Sequence, residues 1–237
     1  MTLPVAILAG GLARRLGAVV ASTPKALLMV AGRPFIEHQL ALLRRQGYRR
    51  VVICAGHLGE MIERQVGDGA RWDMEIAFSY DGPALLGTGG ALRRALPKLG
   101  SEFFVLYGDS YLPCDFGAVE RAFGASRQPA LMTVFRNQGR WDTSNVLFRD
   151  GRVLAYDKRR PSAQMQHIDY GLGALRDSAL QDYADGAALD LAEVYAALAA
   201  SGHLAAFEVS ERFYEIGSAA GLADAERFLS SCAEPAP

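Results

Sequence analysis

The chain has little cysteine, no excess of either charge and no long apolar run, and each shortage removes a class of protein. Its 237 residues include three cysteines, Cys54, Cys114 and Cys232. These are too few and too scattered for a disulfide framework or a zinc site. Lys and Arg total 25 against 26 for Asp and Glu, a net charge of −1, without the basic excess of a nucleic-acid-binding protein. No apolar stretch approaches membrane-spanning length, and the N-terminus has no basic region followed by a cleavable apolar core. The expectation is a soluble, cytoplasmic protein with no nucleic-acid or membrane partner. Repeats, low-complexity tracts and Pro/Gly/Ser linkers are missing as well. So are the glycine motifs G-x-x-x-x-G-K-S/T and G-x-G-x-x-G, which argues against a dinucleotide-dependent oxidoreductase. No Ser/His/Asp or Cys/His arrangement stands out, and His38, His57, His167 and His203 read as packing, surface or bordering residues. Cys54, in an apolar run, reads as a small core residue.

What is present is alternation. Apolar runs at Val5–Ala9, Val51–Ala55, Met74–Ser79, Phe103–Tyr107 and Ala130–Phe135 have strand character. Between them, Phe35–Gln46, Leu58–Val66, Gly89–Leu96 and Phe116–Phe123 carry helical periodicity. Strands alternating with helices of this length predict crossover units and a largely parallel sheet covered on both faces. Val146–Ala155 reads as a hairpin with Asp-Gly in its turn. Ile168–Leu175 and Leu204–Val209 read as further strands, and Leu189–Ala200 and Ser218–Leu229 as helices. One α/β domain over residues 1–229 is expected, with residues 230–237 a frayed tail.

In such sheets ligands bind beyond the carboxyl ends of the strands, and three loops fall there. The first follows Val5–Ala9 and holds Gly10, Gly11, Arg14, Arg15 and, later, Lys25. Glycines let the backbone approach a ligand, guanidinium forks match phosphate, and a lysine adds a compact charge. The pattern suits a polyphosphate, although paired glycines can also merely close a turn. The second, Leu86–Leu92, contains Gly87, Thr88 and Gly89; a flat base or sugar could lie on it, or Thr88 could cap a helix. The third ends an apolar strand with Asp109, placed either to hold Mg²⁺ against phosphate oxygens or to cap a turn. Glu215 is a candidate second carboxylate, or else an exposed loop acid. Phosphoryl-type chemistry suits the lack of a nucleophile–base pair, because positioning and charge neutralisation do most of its work.

Taken together the motifs resemble those of the sugar-phosphate nucleotidyltransferase family, closest in look to mannose and manno-heptose 1-phosphate guanylyltransferases. Leu8-Ala9-Gly10-Gly11-Leu12-Ala13-Arg14-Arg15-Leu16 with Pro24-Lys25 is similar to the family's L-A-G-G-x-G-T-R-L and P-K. Val30 to Pro34 looks like V-x-G-x-P, and Leu86 to Leu92 is similar to L-G-T-A/G-G-A-L. Gly108-Asp109 matches a metal-binding G-D, Asp157-Lys158 resembles E-K, Tyr170-Gly171 an x-G step, Leu189-Asp190 an L-E pair, and Tyr214-Glu215-Ile216-Gly217 an aromatic-x-D-I-G.

The resemblance implies a Rossmann-like (GT-A-like) three-layer fold with a mainly parallel mixed sheet. It also implies transfer of a nucleotidyl group from a nucleoside triphosphate to a sugar 1-phosphate with release of pyrophosphate, and a homodimer. Leu8, Gly10, Gly11, Leu12, Ala13, Arg14, Arg15, Gly87, Thr88 and Gly89 would bind the nucleotide. Lys158, Tyr170, Gly171 and Asp190 would bind the sugar phosphate. Asp109 and Glu215 would hold Mg²⁺, and Arg15, Lys25 and Asp109 would be catalytic. GTP with mannose or D-glycero-D-manno-heptose 1-phosphate is the expected pair; thymidylyl, uridylyl or cytidylyl transfer is the alternative. Ala13, Arg14, Glu215, Asp157 and Asp190 depart from the family's usual residues, which keeps open a regulatory homologue that binds a nucleotide sugar without turnover.

Overall fold

The computed structural model describes residues 2–11 and 23–232. In chain order, β1 (Val5–Leu8) leads through the short β2 (Met29–Val30) and β3 (Arg33–Pro34) into α1 (Phe35–Arg45). Then come β4 (Arg50–Ala55), α2 (Gly59–Val66), β5 (Glu75–Tyr80), α3 (Gly87–Leu99), β6 (Glu102–Tyr107), β7 (Ser110–Tyr111), α4 (Phe116–Ser126) and β8 (Ala130–Phe135). The second half adds β9 (Val146–Arg149), β10 (Arg152–Tyr156), β11 (Ile168–Arg176), α5 (Leu191–Ala200), β12 (Leu204–Val209), β13 (Tyr214–Glu215) and α6 (Ala219–Ser231).

Seven strands form the central sheet in the order β12-β8-β11-β6-β1-β4-β5. Strands β1, β4, β5 and β6 run parallel, β8 and β12 are parallel to each other, and β11 is antiparallel to both its neighbours. The parallel strands are continuously apolar because both faces are covered. Along β1, Val5 and Ile7 pack with Ile36, Leu40 and Ile62 of α1 and α2, whereas Ala6 packs on the other face with Leu92 and Ala95 of α3 and Val194 of α5. The result is the expected three-layer, mainly parallel α/β sandwich. The β9–β10 hairpin turns at Asp150-Gly151, both at positive φ.

Some boundaries differ from expectation. Helix α3 starts at Gly87 and continues through Pro97 to Leu99, since a proline in the last turn forfeits a single backbone bond. Helix α6 extends through Ser231, into the expected tail, and residues 233–237 lie outside the described segments. No helix among the described residues is long and apolar enough to cross a membrane.

The sheet order positions the site. After β1 the chain builds outward to β4 and β5, then returns to place β6 on the other side of β1. That reversal opens a crevice at the carboxyl ends of β1, β4, β5 and β6, the usual place for a ligand.

Candidate active site

A cavity of about 290 Å³ fills this crevice. Its wall is made of strand ends: Leu8 to Gly11 after β1, Cys54 of β4, Asp81 after β5, and Tyr107 to Asp109 at the end of β6. Gly87, Thr88 and Ala91 close the side formed by α3, and Lys25 closes the front. The adjacent turns after β1 and β4 nearly touch. A Cβ on Gly10 would lie 3.0 Å from the Gly56 nitrogen, and one on Gly56 would lie 2.9 Å from the Gly10 oxygen. Only paired glycines let both turns crowd the ligand space. Gly56 ends an apolar run as Gly10 does, and that position is its signal in the sequence.

The central contact joins residues 84 positions apart: Lys25 Nζ donates to Asp109 Oδ2 at 3.0 Å. Asp109 is held by its backbone, whose carbonyl accepts the Ile216 N–H at 2.9 Å. Gln39 of α1, fully buried, donates through Nε2 to the carbonyls of Tyr107 at 2.8 Å and Ser110 at 2.7 Å, on either side of it. Pairing of β7 with β13 sets Glu215 opposite Ser110. A Cβ built on Gly217 would stand 3.4 Å from Glu215 Oε2 and 3.8 Å from Asp109 Oδ2. The two carboxylates therefore converge over Gly217, where a side chain would intrude. Two hard oxygen donors with space for substrate oxygens are what Mg²⁺ takes. Among the described residues no group of three or more His, Cys, Asp or Glu could hold a metal.

The Leu86–Leu92 loop packs on the segment that leads into α5. The N–H groups of Gly89 and Gly90 both donate to Leu189 O, at 2.9 and 3.2 Å. Gly89 faces Leu189 rather than the cavity, because these amide groups at the start of α3 find their acceptor there. Thr88 does not cap its own helix, whose N-cap is Leu86. Its hydroxyl donates to Asp190 Oδ1 at 3.0 Å and accepts from Leu191 N at 2.8 Å. Asp190 in turn caps α5 through Ala192 N. Gly87, at φ 71, lines the cavity.

Asp81 also lines the cavity, although it belongs to none of the sequence motifs. It is 5% exposed, accepts the Leu86 N–H at 3.1 Å, and its backbone carbonyl accepts from Arg94. Burial raises its carboxyl above the ordinary range, with the Leu86 N–H and then Arg94 pulling back. An acid directly after a strand was the available signal. Cys54 is buried as expected, and burial pushes its thiol up to about 12, so it is inert.

Beside the cavity lies a cleft of about 270 Å³ lined by Lys158, Arg159, Arg160 and Asp190 among others. The Lys158 ammonium stands 5.1 Å from the centre of the Tyr107 ring and 3.8 Å from Asp169 Oδ2. Asp169, whose side chain is 5% exposed, also accepts from Tyr156 OH at 3.0 Å and Gly171 N at 3.1 Å. An acid inside the apolar Ile168–Leu175 run was its signal. The N–H groups of Arg160 and Arg159 hold the Asp157 carboxyl below the usual range.

The Tyr170 side chain points into the core against Phe135 and Phe213, beside Cys114, as alternation along β11 dictates, which leaves its backbone beside Gly171 as the part expected to read sugar hydroxyls. Gly171, at φ 104, sits at the bulge where β11 leaves register with β8. Leu12, Ala13, Arg14 and Arg15 lie outside the described residues.

The arrangement sets a cation, two carboxylates and a basic cleft around a crevice at the reversal of a mainly parallel α/β sheet. The chain belongs to the MobA-like NTP transferase domain family, matched over residues 5–234. It is 40% identical over 113 residues to the N-acetylmuramate alpha-1-phosphate uridylyltransferase of Neisseria meningitidis serogroup B, covering 47% of this chain and 49% of that protein. It is 33% identical over 159 residues to the D-glycero-alpha-D-manno-heptose 1-phosphate guanylyltransferase of Aneurinibacillus thermoaerophilus, covering 65% and 66%. The match thus spans less than two thirds of either relative. HddC of Yersinia pseudotuberculosis in complex with GMP-PN shares the fold, with a TM-score of 0.80 and 22% identity over 96% of this chain and all of that one.

Proposed function

We propose that this chain is a sugar-1-phosphate nucleotidyltransferase, and the observation that carries the reading is the Lys25–Asp109 contact at the mouth of the strand-end cavity. The triphosphate occupies the cavity with its base toward Gly87 and Asp81, and Arg15 and the Gly10-Gly11 turn hold the β- and γ-phosphates. The sugar 1-phosphate enters from the Lys158 cleft. Asp109 and Glu215 are the residues that would hold Mg²⁺, which when bound neutralises charge on phosphate oxygens. An oxygen of the sugar phosphate attacks the α-phosphorus. A new P–O bond forms, the bond to the bridging oxygen of the β-phosphate breaks, and pyrophosphate leaves with that electron pair. Lys25 stabilises negative charge on the α-phosphate as this happens. Asp169 and the Tyr107 and Tyr156 rings hold Lys158 in place for the incoming phosphate.

The base is guanine in this reading. A carboxylate such as Asp81 only accepts hydrogen bonds. The Watson–Crick edge of guanine offers two adjacent donors, whereas that of uracil offers one donor flanked by carbonyls. D-glycero-D-manno-heptose or mannose 1-phosphate is the acceptor, supported by the likeness to the Aneurinibacillus guanylyltransferase. Uridylyl transfer is the second reading, favoured by the 40% identity to the Neisseria uridylyltransferase. The deciding experiment is pyrophosphate release across a matrix of nucleoside triphosphates and sugar 1-phosphates, with and without Mg²⁺. Turnover dependent on GTP and Mg²⁺ is expected, and preference for UTP establishes the second reading. Silence throughout a broad matrix would refute the enzyme and leave a protein that binds a nucleotide sugar without turning it over.

A further inference from the structure

A second cavity, of about 350 Å³, lies on the other side of α1 and shares no lining residue with the first. Arg33, Arg44, Arg45, Arg49, Trp72 and Tyr111 line it. Four guanidinium groups gathered around one hollow repel one another, and this chain has no overall positive charge to explain the gathering. The negative end of α1 accounts for Arg44 and Arg45 in its last turn. It does not account for Arg33, from β3, or for Arg49, whose Nη1 donates to Arg44 O at 2.9 Å and draws a further cation onto the same helix end. Asp73, largely exposed, answers Arg49 at 3.4 Å. Among the described residues no carboxylate lies within 4.0 Å of Arg33 or Arg44. Trp72, 4% exposed, forms an aromatic wall of the same hollow.

We propose that this cleft is a second binding site, for an anion carrying a diphosphate group, apart from the nucleotide cavity. Planar guanidinium forks match phosphate oxygens two at a time, and the volume exceeds what a single phosphate fills. Inorganic pyrophosphate and the diphosphate of a nucleotide share this chemistry. The site connects to the first through named contacts. Arg45 Nη2 donates to Tyr111 OH at 3.0 Å, and Tyr111 follows Ser110 in β7, the strand paired with Glu215. Gln39, on the same helix α1, holds the carbonyls on either side of Asp109. An anion drawing Arg45 and Tyr111 therefore acts on the two-strand ladder that presents both site carboxylates.

The chain has two tryptophans, Trp72 and Trp141, so Trp141→Phe leaves Trp72 as the only indole and a local reporter. Pyrophosphate and guanosine diphosphate are titrated separately against this protein, followed by tryptophan emission and by calorimetry. A saturable change at Trp72 is expected with one or both. Pyrophosphate alone sufficing identifies the inorganic anion, and a response confined to guanosine diphosphate identifies the nucleotide. Adding Arg33→Ala with Arg44→Ala should raise the half-saturation point about tenfold or more, the loss of charge-assisted hydrogen bonds. Turnover without added anion should stay unchanged in that variant. Lys25→Ala, which alters the nucleotide cavity, should leave the Trp72 response intact. No saturable signal by either method, or a response that follows Lys25 rather than the arginines, overturns the proposal.

Discussion

Replacing Asp109 by asparagine separates what this residue does for the fold from what it does for chemistry. The substitution keeps the shape and one oxygen, and leaves the backbone carbonyl that accepts Ile216 N. It removes the charge facing Lys25. Both side chains of that ion pair touch solvent, at 20% and 32% exposure, so screening keeps the pair's contribution to about 0–1 kcal/mol. For a chain of this length that is a melting shift of at most about 2–4 °C. The catalytic effect should be far larger. A neutral amide cannot take its half of a divalent cation shared with Glu215, and the α-phosphate loses its organised positive surroundings. A loss of about 10³-fold in kcat/KM is expected, equivalent to about 4 kcal/mol of barrier. The assay is pyrophosphate release over a Mg²⁺ titration, run beside a thermal melt of the same preparation. A variant that melts like the parent yet turns over a thousandfold more slowly fits. If kcat/KM stays within tenfold with an unchanged Mg²⁺ requirement, Asp109 is not a metal acid and the mechanism above is wrong.

Two further outcomes follow from the site. Lys25→Ala should lower kcat by about 10²-fold while changing the KM for the triphosphate much less, as fits a charge needed in the transition state; an effect confined to KM would contradict that role. Asp81→Asn should stabilise the protein at neutral pH. Burial raises the folded-state pKa of Asp81 above its unfolded value, so the folded state binds the proton more tightly. Stability therefore falls as pH rises from about 4 through the raised value. The asparagine variant should melt higher than the parent at pH 7, with the gap closing toward pH 4, and should lose preference for GTP. A gap that does not vary with pH would show that the carboxyl is not the source.

The strands were legible because burial on both faces leaves a simple mark. Val5–Ala9, Val51–Ala55, Met74–Ser79 and Phe103–Tyr107 coincide within a residue or so with β1, β4, β5 and β6, since a strand covered by helices on both sides has no reason to alternate. The two-residue strands left no such mark. Pairing of β7 with β13 joins Ser110 to Glu215, and no local pattern at either position encodes a partner so distant in sequence. Pro97 reads locally as a helix stop, yet α3 runs past it to Leu99, because Leu92, Ala95 and Leu99 are buried in one cluster and their packing outweighs a single missing bond.

The candidate site divides along the same line. Gly10 and Asp109 announce themselves because each stands where an apolar strand ends, and Lys25 because it is a cation directly before the next apolar segment. Asp81 obeys the same rule but sits in Tyr80-Asp81-Gly82, where an acid before glycine reads as an ordinary turn. Gln39 obeys no rule at all. It lies among apolar neighbours on α1, and its function exists only because α1 packs where β6 ends, with its amide reaching the carbonyls of Tyr107 and Ser110. A polar side chain buried for that purpose looks, in one dimension, like an interruption of a helix face. Residues that supply charge are therefore readable from the chain, whereas those that aim the charge are set by tertiary contact. That is why the orientation of Asp109 rests on a glutamine seventy positions earlier that the sequence gives no reason to choose.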